Sequence, residues 1–206
     1  MELDFNKLPP PDRYKILCAV VVPRPIAWVT TVSTAGVVNV APFSFFNAMG
    51  SQPAIVALGI ASRGKGVPKD TLKNIQDTRE FVVNLVTFAA RDAMNRSAAD
   101  FPPEVSELSA LGLETQPAVA VKPPRLALSP VHLECKLATI VEVGRNQVTI
   151  GEVVHTHIAD EFYDPVKGYV AAEKLDLIAR MHGRGWYART TELFELPRVN
   201  PDGTRA

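Results

Sequence analysis

The sequence predicts a mainly β domain with helices inserted between its strands, an α+β protein. At least six short runs of β-branched and aromatic residues are separated by turn signals, and several of them are joined by tight turns. Two long runs near the C-terminal third also alternate apolar and polar residues, which is the period of a half-buried strand. We expect these strands to form a closed or nearly closed antiparallel barrel, because closure removes unpaired sheet edges. A sandwich with helices at one end is the alternative.

The first half of the chain supplies a helix, a hairpin and a strand–helix–strand unit. A short helix is expected at 12–18. Two β-branched runs flank a small glycine-containing turn, which predicts a hairpin with strands at 26–32 and 37–41. A strand at 54–60 precedes a helix whose initial Pro, Asp and Thr suit a first turn. This helix is expected at 68–78, and the next strand at 80–86.

The second half supplies two short helices, the long strand pair, and a final helix and strand. They are predicted at 88–97, 104–111, 131–143, 147–159, 172–181 and 186–196. In the first long strand, the alternation puts one set on an apolar face: Val131, Leu133, Cys135, Leu137, Val141 and Val143. His132, Glu134, Lys136 and Glu142 then share the opposite, polar face.

Length and composition predict one domain and limit the class of protein. The chain has 206 residues, of which 47% are hydrophobic and 21% charged. We expect a single domain over 1–206, with its core at about 10–195 and a fraying tail at 197–206. The 22 basic residues balance the 22 acidic ones, which argues against a nucleic-acid binder or a polybasic membrane-surface protein.

Cysteine usage and hydropathy predict a cytoplasmic protein. Cys18 and Cys135 are the only cysteines and have neither CxxC nor zinc-ligand spacing, as suits a reducing compartment. No secretory signal is visible at the N-terminus. The longest clean apolar run, 16–22, is too short to span a bilayer, so no membrane partner is expected.

Familiar catalytic motifs are absent from the sequence. It contains no GxGxxG, GxxxxGK[ST], GxSxG or HExxH, so Rossmann, P-loop, α/β-hydrolase and zincin chemistry lose their main support. His155 and His157 lie two apart in a predicted strand and so share a face. A polar outer face is favoured over a metal pair, because only His132 and His182 remain as further histidines. No metal is expected.

The segment 41–47, Ala-Pro-Phe-Ser-Phe-Phe-Asn, is a candidate ligand loop. It holds three of the nine phenylalanines within four positions and follows a predicted strand directly. Aromatic side chains can flank a planar ring while hydroxyl, amide and backbone N–H groups bond its polar edge. The candidates are Ala41, Phe43, Ser44, Phe45 and Asn47. A buried core segment is the alternative.

The segment 62–71 is a candidate anion site, since a basic, glycine-containing loop runs into a helix start. Free N–H groups, the positive end of the helix dipole and nearby cations favour an anion there. The candidates are Ser62, Arg63, Lys69, Asp70 and Thr71, with the Thr71 hydroxyl as a donor to a phosphate oxygen. An ordinary solvated loop whose Asp70 or Thr71 caps the helix is the alternative.

A third segment, 23–31, combines a constrained cation with two hydroxyls. Prolines on both sides hold Arg24 in extended geometry before a predicted strand. Thr30 and Thr31 end that apolar strand, where they can offer polar atoms to a ring at a barrel mouth.

Taken in order, these segments resemble the flavin reductase-like family of FMN-binding split β-barrels. The matching stretches cover about 10–195: PRPIAWVTT (23–31), NVAPFSFFN (39–47), KDTLKNI (69–75), EFVVNLV (80–86), HLECK (132–136), IGEVV (150–154) and ARMHGRGWYART (179–190). The resemblance implies an antiparallel Greek-key split barrel. It also implies a homodimer that holds FMN non-covalently at the subunit interface.

The resemblance also assigns residues to the flavin. Thr30 and Thr31 would line its pyrimidine side, mostly through backbone groups. The 41–47 loop would cover the ring, with Ser44 and Asn47 as polar contacts. The phosphate would be bound by a further set: Ser62, Arg63, Lys69, Thr71 and, as an additional candidate, Arg24. Arg180 and Tyr187 match the C-terminal motif and would serve either the flavin or the dimer interface.

The implied activity is that of an oxidoreductase passing hydride or electrons between NAD(P)H, flavin and an acceptor. No catalytic acid–base pair is expected, because the cofactor supplies the redox chemistry. Many NAD(P)H-dependent members carry a histidine shortly before the IGEV-like strand, where this chain has Asn146. A flavin-binding electron carrier or redox sensor without NAD(P)H turnover is therefore the alternative. A barrel used only for assembly, with the Phe cluster as dimer core, is a third hypothesis.

Overall fold

Strands dominate the computed structural model, which describes residues 1–62, 66–102, 104–183 and 185–205. Its elements in chain order are α1 (Pro10–Val20), β1 (Arg24–Pro25), β2 (Ala27–Val32), β3 (Val38–Phe43), β4 (Phe46–Ser51), β5 (Ala54–Ala61), α2 (Asp70–Thr78), β6 (Glu80–Leu85), α3 (Arg91–Arg96), α4 (Glu107–Leu111), β7 (Thr115–Gln116), β8 (Arg125–Leu126), β9 (Val131–Val143), β10 (Asn146–Ile158), β11 (Tyr163–Asp164), β12 (Tyr169–Val170), β13 (Ile178–Arg180) and β14 (Tyr187–Arg189). The prediction of a mainly β protein with inserted helices is confirmed.

Seven strands form one antiparallel sheet in the order β3-β2-β6-β9-β10-β5-β4. Its two edge strands, β3 and β4, follow each other in sequence and are joined only by Ser44 and Phe45. The Phe45 carbonyl accepts a hydrogen bond of 2.7 Å from Gly59 N–H on β5. A Cβ at Gly59 would lie 3.0 Å from the Phe45 Cβ, so the close approach favours glycine. This corner brings the two ends of the sheet together.

Both faces of the sheet are packed, because alternate side chains of β2 enter different clusters. Val29 belongs to a core that α2 covers with Leu72 and Ile75. Trp28 belongs to a second core on the other face, packed against α3 through Met94. Period-two alternation therefore produces a strand that is buried on both sides.

The predicted alternation of β9 is correct as far as Leu137 and wrong beyond it. Leu137 pairs with Gly151 and Thr139 with Ile150, which leaves Ala138 as an extra residue in the strand. A bulge of one residue exchanges the two faces, so the next core side chain is Ile140. Val141 and Val143, predicted to be inward, are exposed.

Two predictions in the C-terminal third are wrong. The helix expected at 172–181 is a single 3₁₀ turn, Ala172–Lys174, followed by β13. Asp176 takes a left-handed φ of 48°, which ends any helix there. The strand expected at 186–196 is the short β14.

The strand β4 was not expected, because 46–47 was assigned to the candidate ligand loop and no element was predicted at 48–51. All four helices differ from their predicted bounds, and α2 begins at Asp70 where 68 was expected. α1 is longer than expected, while α3 and α4 are shorter. None of the described helices is both long and apolar enough to cross a bilayer.

Candidate functional site

An apolar cavity of about 650 Å³ lies between α1, the β3–β4 corner and the ends of β5 and β10. This volume is within the range of small-molecule and cofactor sites. Its wall is mostly aliphatic and aromatic, and four residues contribute polar side chains: Arg24, Ser44, Asn47 and Asn146. Three of these four were predicted as site residues, and Phe45, which also lines the cavity, is the fourth predicted residue there.

The β3–β4 corner presents Phe45 to this cavity. The side chain is 45% exposed, and its ring centroid lies 6.1 Å from that of Tyr14 on α1. The guanidinium carbon of Arg24 lies 5.9 Å from the same centroid. Asn47 Oδ1 accepts from Ala48 N–H at 2.9 Å, which leaves Asn47 Nδ2 as the donor toward a ligand. The prediction that this segment is wholly a loop is wrong, since its two ends lie in β3 and β4.

The guanidinium of Arg24 donates to backbone carbonyls and is not directed toward a phosphate. One guanidinium nitrogen donates to Cys18 O and Val21 O, and the other to Met181 O, all at 2.7 Å. The side chain is only 6% exposed, and its Nε is buried without an acceptor in the described part of the chain. Because the guanidinium is committed to three carbonyls, the assignment of Arg24 to the phosphate is not supported. Arg24 instead ties α1 to the C-terminal hairpin.

Thr30 and Thr31 do not reach the wall of this cavity. Both are fully buried on β2, a strand that pairs with β3 on one side and β6 on the other. The Thr30 hydroxyl donates to Pro124 O at 2.6 Å, and the Thr31 hydroxyl accepts from Asn74 Nδ2 at 3.1 Å. The prediction that they offer polar atoms at a barrel mouth is not supported within one chain, because internal partners use these groups.

A second, smaller cavity of about 150 Å³ is lined by five further predicted residues. Ala41, Phe43, Lys69, Asp70 and Thr71 all line it. Lys69 is exposed, and its Nζ lies 5.7 Å from the ring centroid of Phe43. Lys69 is the N-cap of α2, and its side chain makes no capping bond with the described residues. A cation therefore stands beside a helix start, as the anion hypothesis expects.

Two other members of the predicted anion site lie earlier in the chain. Ser62 directly follows β5 and is half-buried. Arg63 lies outside the described residues. Since Ile60 and Ala61 line the large cavity, the chain passes directly from that cavity into the candidate anion segment.

The Thr71 hydroxyl points inward, contrary to the prediction that it donates to a phosphate. It is 2% exposed and donates to Asn39 Oδ1 at 2.7 Å. Asn39 Nδ2 in turn donates to Glu107 Oε1 at 2.7 Å, and Val40 N–H donates to Glu107 Oε2 at 3.0 Å. Burial raises the pKa of Glu107 above its usual value, although these hydrogen bonds oppose the shift. Sequence patterns gave no signal for Glu107, which stands alone in a short helix.

His157 and Glu134 form a pair on the other side of the sheet. Their side chains approach to 2.5 Å, and the fully buried Glu134 also accepts from Val119 N–H and Ala120 N–H. Burial alone would raise the pKa of Glu134, but these hydrogen bonds lower it. The part of the predicted polar face of β9 that holds His132 and Glu134 is thus covered by the 117–126 segment, whereas Lys136 and Glu142 are exposed. Within the described residues, no group of three or more His, Cys, Asp or Glu is arranged to hold a metal.

Arg180 and Tyr187 bind each other across the β13–β14 pair. The Arg180 guanidinium donates to the Tyr187 hydroxyl at 2.6 Å and its carbon lies 4.7 Å from the ring centroid. Arg180 also pairs with Arg24 through the backbone of β1 and β13. Tyr187 lines a separate cavity of about 700 Å³ beside α3. The two residues therefore belong to the small sheet β1-β13-β14, which also contains Arg24.

Most of the chain matches the model of a known protein family. Residues 20–172 match the flavin reductase like domain. The chain belongs to that family. An uncharacterized protein of Deinococcus radiodurans is 43% identical over 201 residues, which are 95% of this chain and 88% of that protein.

Solved structures of this flavin reductase-like family share the whole fold. Nitrilotriacetate monooxygenase component B from Bacillus cereus superposes with a TM-score of 0.90 at 32% identity, covering 95% of this chain and 98% of that one. 2-Nitrobenzoate 2-nitroreductase from Pseudomonas fluorescens gives 0.87 at 31% identity, with 98% and 97% coverage. The chain is therefore a split-barrel flavin reductase-like protein of an oxidoreductase family that binds flavin. At 17% identity, the flavoredoxin of Desulfovibrio vulgaris (TM-score 0.77, 95% and 97% coverage) supports the fold alone.

Proposed function

We propose that the protein is an FMN-binding oxidoreductase of the flavin reductase type, which passes hydride or electrons between NAD(P)H, flavin and an acceptor. The observation that carries this proposal is the course of β5. Its end lines an apolar cavity large enough for a planar ring, and the next residues enter a segment with an exposed cation and a helix start. FMN has the matching chemistry, an apolar tricyclic ring joined to a dianionic phosphate.

The residues around the large cavity fit the ring of FMN. Phe45 offers an aromatic surface, while the Ser44 hydroxyl and Asn47 Nδ2 offer donors to the polar ring edge. Donors of this kind stabilise negative charge that develops on a bound group. Bound FMN would supply the redox chemistry itself. The role of these side chains is to orient the ring and exclude water from it.

The residues around the start of α2 fit a phosphate. Lys69 supplies an exposed positive charge, and the N–H groups of the first turn of α2 supply donors. Ser62 and Arg63 complete the proposed set from the preceding segment. Asp70 lies in the first turn of α2, where its carboxylate interacts favourably with the positive end of the helix dipole. Thr71 contributes through its backbone, because its hydroxyl is committed to Asn39.

We also propose a homodimer that encloses the large cavity. Leu17, Val21 and Met49 line the cavity and are 46% to 59% exposed. Tyr14 and Val20 on α1 are also exposed, at 57% and 68%. β4 lies at the end of the sheet and has only β5 as a partner among the described strands. Exposed apolar surface beside an unpaired edge marks an interaction surface. A two-fold interface would cover this face on both copies.

Two finer features of the fold and its setting belong to the same proposal. The corner between the edge strands supports closure of the sheet into a Greek-key barrel. Both cysteines are free and buried, which supports a cytoplasmic location.

Paired flavin titrations test the proposed site. Phe45→Ala should weaken FMN and riboflavin equally, since both carry the ring, by about tenfold for a lost aromatic contact. Lys69→Met should weaken FMN by about tenfold and leave riboflavin unchanged, since only FMN carries a phosphate. Lys73→Met is the matched control, because Lys73 on the same helix is paired with Asp77. A wild-type protein that binds neither flavin would overturn the proposal.

Asn146 supports a second candidate function, a flavin-binding electron carrier or redox sensor without NAD(P)H turnover. Asn146 begins β10 and lines the large cavity. The family resemblance implies a histidine at this position in many NAD(P)H-dependent members. The carrier function predicts a flavin-loaded protein that dithionite reduces but NADH and NADPH do not. Asn146→His should then confer NAD(P)H oxidation. Rapid NAD(P)H oxidation by the wild type would instead select the reductase.

A further inference from the structure

Three buried residues form a hydrogen-bonded chain that ends at the first turn of α2. Glu107 accepts from the side chain of Asn39, and Asn39 accepts from the hydroxyl of Thr71, both at 2.7 Å. Each of the three is at least nine-tenths buried, and all three line the cavity of about 150 Å³ that Lys69 also lines. The chain therefore runs from α4 through β3 to the proposed phosphate site.

An ionised Glu107 permits only one direction of these hydrogen bonds. A carboxylate has no proton to donate, so it must face the NH₂ group of Asn39 and the N–H of Val40. The amide oxygen of Asn39 then faces Thr71, and the Thr71 hydroxyl must donate inward to it. Thr71 accordingly has no proton left for a phosphate oxygen.

We propose that Glu107 is a positioning residue for the phosphate of FMN: its carboxylate fixes Asn39 and withholds the Thr71 hydroxyl from the ligand. This inference rests on the proposed FMN site. Its consequence concerns how tightly flavin is held. With this hydroxyl withheld, the phosphate has one donor fewer among the residues of the proposed set, which favours an exchangeable flavin over a permanently bound one.

Replacing the carboxylate by an amide reverses the chain. In Glu107→Gln, the carbonyl oxygen accepts from Val40 N–H and the new NH₂ group faces Asn39. Asn39 must then turn its oxygen toward residue 107 and its NH₂ toward Thr71. The Thr71 oxygen becomes an acceptor, and its proton is released toward the cavity. A hydrogen bond to a charged phosphate oxygen is thereby gained.

Removing the charge of Glu107 also acts on a phosphate directly, so the experiment must separate the two effects. Other charged groups face the same cavity: Lys69, Asp70 and Asp100. Asp100→Asn is the matched control, because it removes a carboxylate from the cavity wall without altering the Glu107–Asn39–Thr71 hydrogen bonds. Thr71→Val removes the hydroxyl at nearly constant shape, and Thr71→Ser retains it.

The test measures the ratio of riboflavin to FMN dissociation constants in a double-mutant cycle. Thr71→Val alone should leave this ratio within about twofold of the wild-type value, since the hydroxyl does not bind the phosphate. Glu107→Gln should raise it by about tenfold or more, the effect of one hydrogen bond to a charged group. The gain should disappear in the Glu107→Gln/Thr71→Val double variant and persist with Thr71→Ser. FMN release by Glu107→Gln should slow by the same factor.

Several outcomes would overturn the proposal. A tenfold loss of the ratio in Thr71→Val would show that the hydroxyl already faces the phosphate. Three results would show that the direction of the Glu107–Asn39–Thr71 hydrogen bonds has no role. They are an unchanged ratio in Glu107→Gln, a gain in the ratio that survives the addition of Thr71→Val, and an equal gain in Asp100→Asn. If Glu107→Gln does not fold, Thr71→Val alone decides. Absence of all flavin binding by the wild type would overturn the proposed function, which the other results leave standing.

Discussion

The guanidinium of Arg24 donates to the carbonyl of Met181 at 2.7 Å, although 157 residues separate the two. The same group holds the carbonyls of Cys18 and Val21 at the end of α1. Because α1 forms one wall of the large cavity, Arg24 fixes the position of that wall relative to the C-terminal hairpin. The buried cation therefore has a structural role next to the proposed ring site.

Arg24→Met is expected to destabilise the fold without affecting recognition of the phosphate. It preserves side-chain length but leaves three carbonyls without their donor, which should cost about 3 kcal/mol in the free energy of unfolding. Denaturant unfolding measures this loss, and Arg145→Met in the exposed β9–β10 turn should change stability by less than about 0.5 kcal/mol. A stable variant that loses preference for FMN over riboflavin would restore Arg24 as a phosphate ligand.

His132 should make the protein less stable in mild acid. Burial is the main cause that lowers the pKa of His132 from 6.5 to about 4. Between these values the unfolded chain binds the proton and the folded chain does not, so stability falls as the pH falls. The loss is at most about 3 kcal/mol, and it is complete near pH 4.

His132→Gln isolates this contribution, since an amide can keep the bond to Leu126 O without titrating. Glu107 has a raised pKa and contributes the opposite slope, so the informative quantity is the difference between variant and wild type. Thermal or denaturant unfolding across this pH window should show a flatter profile for His132→Gln. Parallel profiles for the two proteins would contradict the assignment.

Gly151 is predicted to tolerate no larger side chain. A Cβ there would overlap the ring of Phe81, which is fully buried, and would lie 3.3 Å from the Cβ of Cys135. Gly151→Ala should therefore lower the free energy of unfolding by about 2 kcal/mol through overpacking. Gly183→Ala is the control, because a Cβ at that position meets nothing within 4 Å. Equal stability of the two variants would contradict the described packing.

Met49→Glu is predicted to separate the proposed dimer into monomers. Met49 is 59% exposed on the edge strand β4 and lines the large cavity, so the substitution leaves the core of one chain intact. Burying a carboxylate in an apolar interface is strongly unfavourable. Sedimentation measures the change, with Val166→Glu as the control at an exposed hairpin tip. A dimeric Met49→Glu protein would place the interface elsewhere.

Local pattern predicted most of the sheet but not the irregularities that depend on pairing. The hairpin β2–β3 and the pair β9–β10 follow from alternation and turn residues within each segment. The bulge at Ala138 depends on how β9 pairs with β10, which no single-strand pattern contains. β4 was missed because its first two residues, 46–47, were assigned to the candidate ligand loop, whereas its pairing with β5 makes it a strand.

Residue type was the basis for predicting the candidate site, and the structure adds which of those side chains face the interior. Phe45 and Lys69, which line cavities, could be singled out from the sequence because an aromatic run and a helix start are local signals. The hydroxyls of Thr30 and Thr71 face the interior, because they are satisfied by residues distant in sequence, Pro124 and Asn39. Whether a polar side chain faces a ligand or the interior depends on partners that sequence spacing does not reveal.

Titration of the purified protein with FMN tests the central claim most directly. Flavin fluorescence and sedimentation on the same sample give the number of sites and the oligomeric state. We expect saturable binding of one FMN per chain by a dimer, with a higher affinity for FMN than for riboflavin. Fluorescence that rises in simple proportion to added FMN, with no saturation at any protein concentration, would contradict the account.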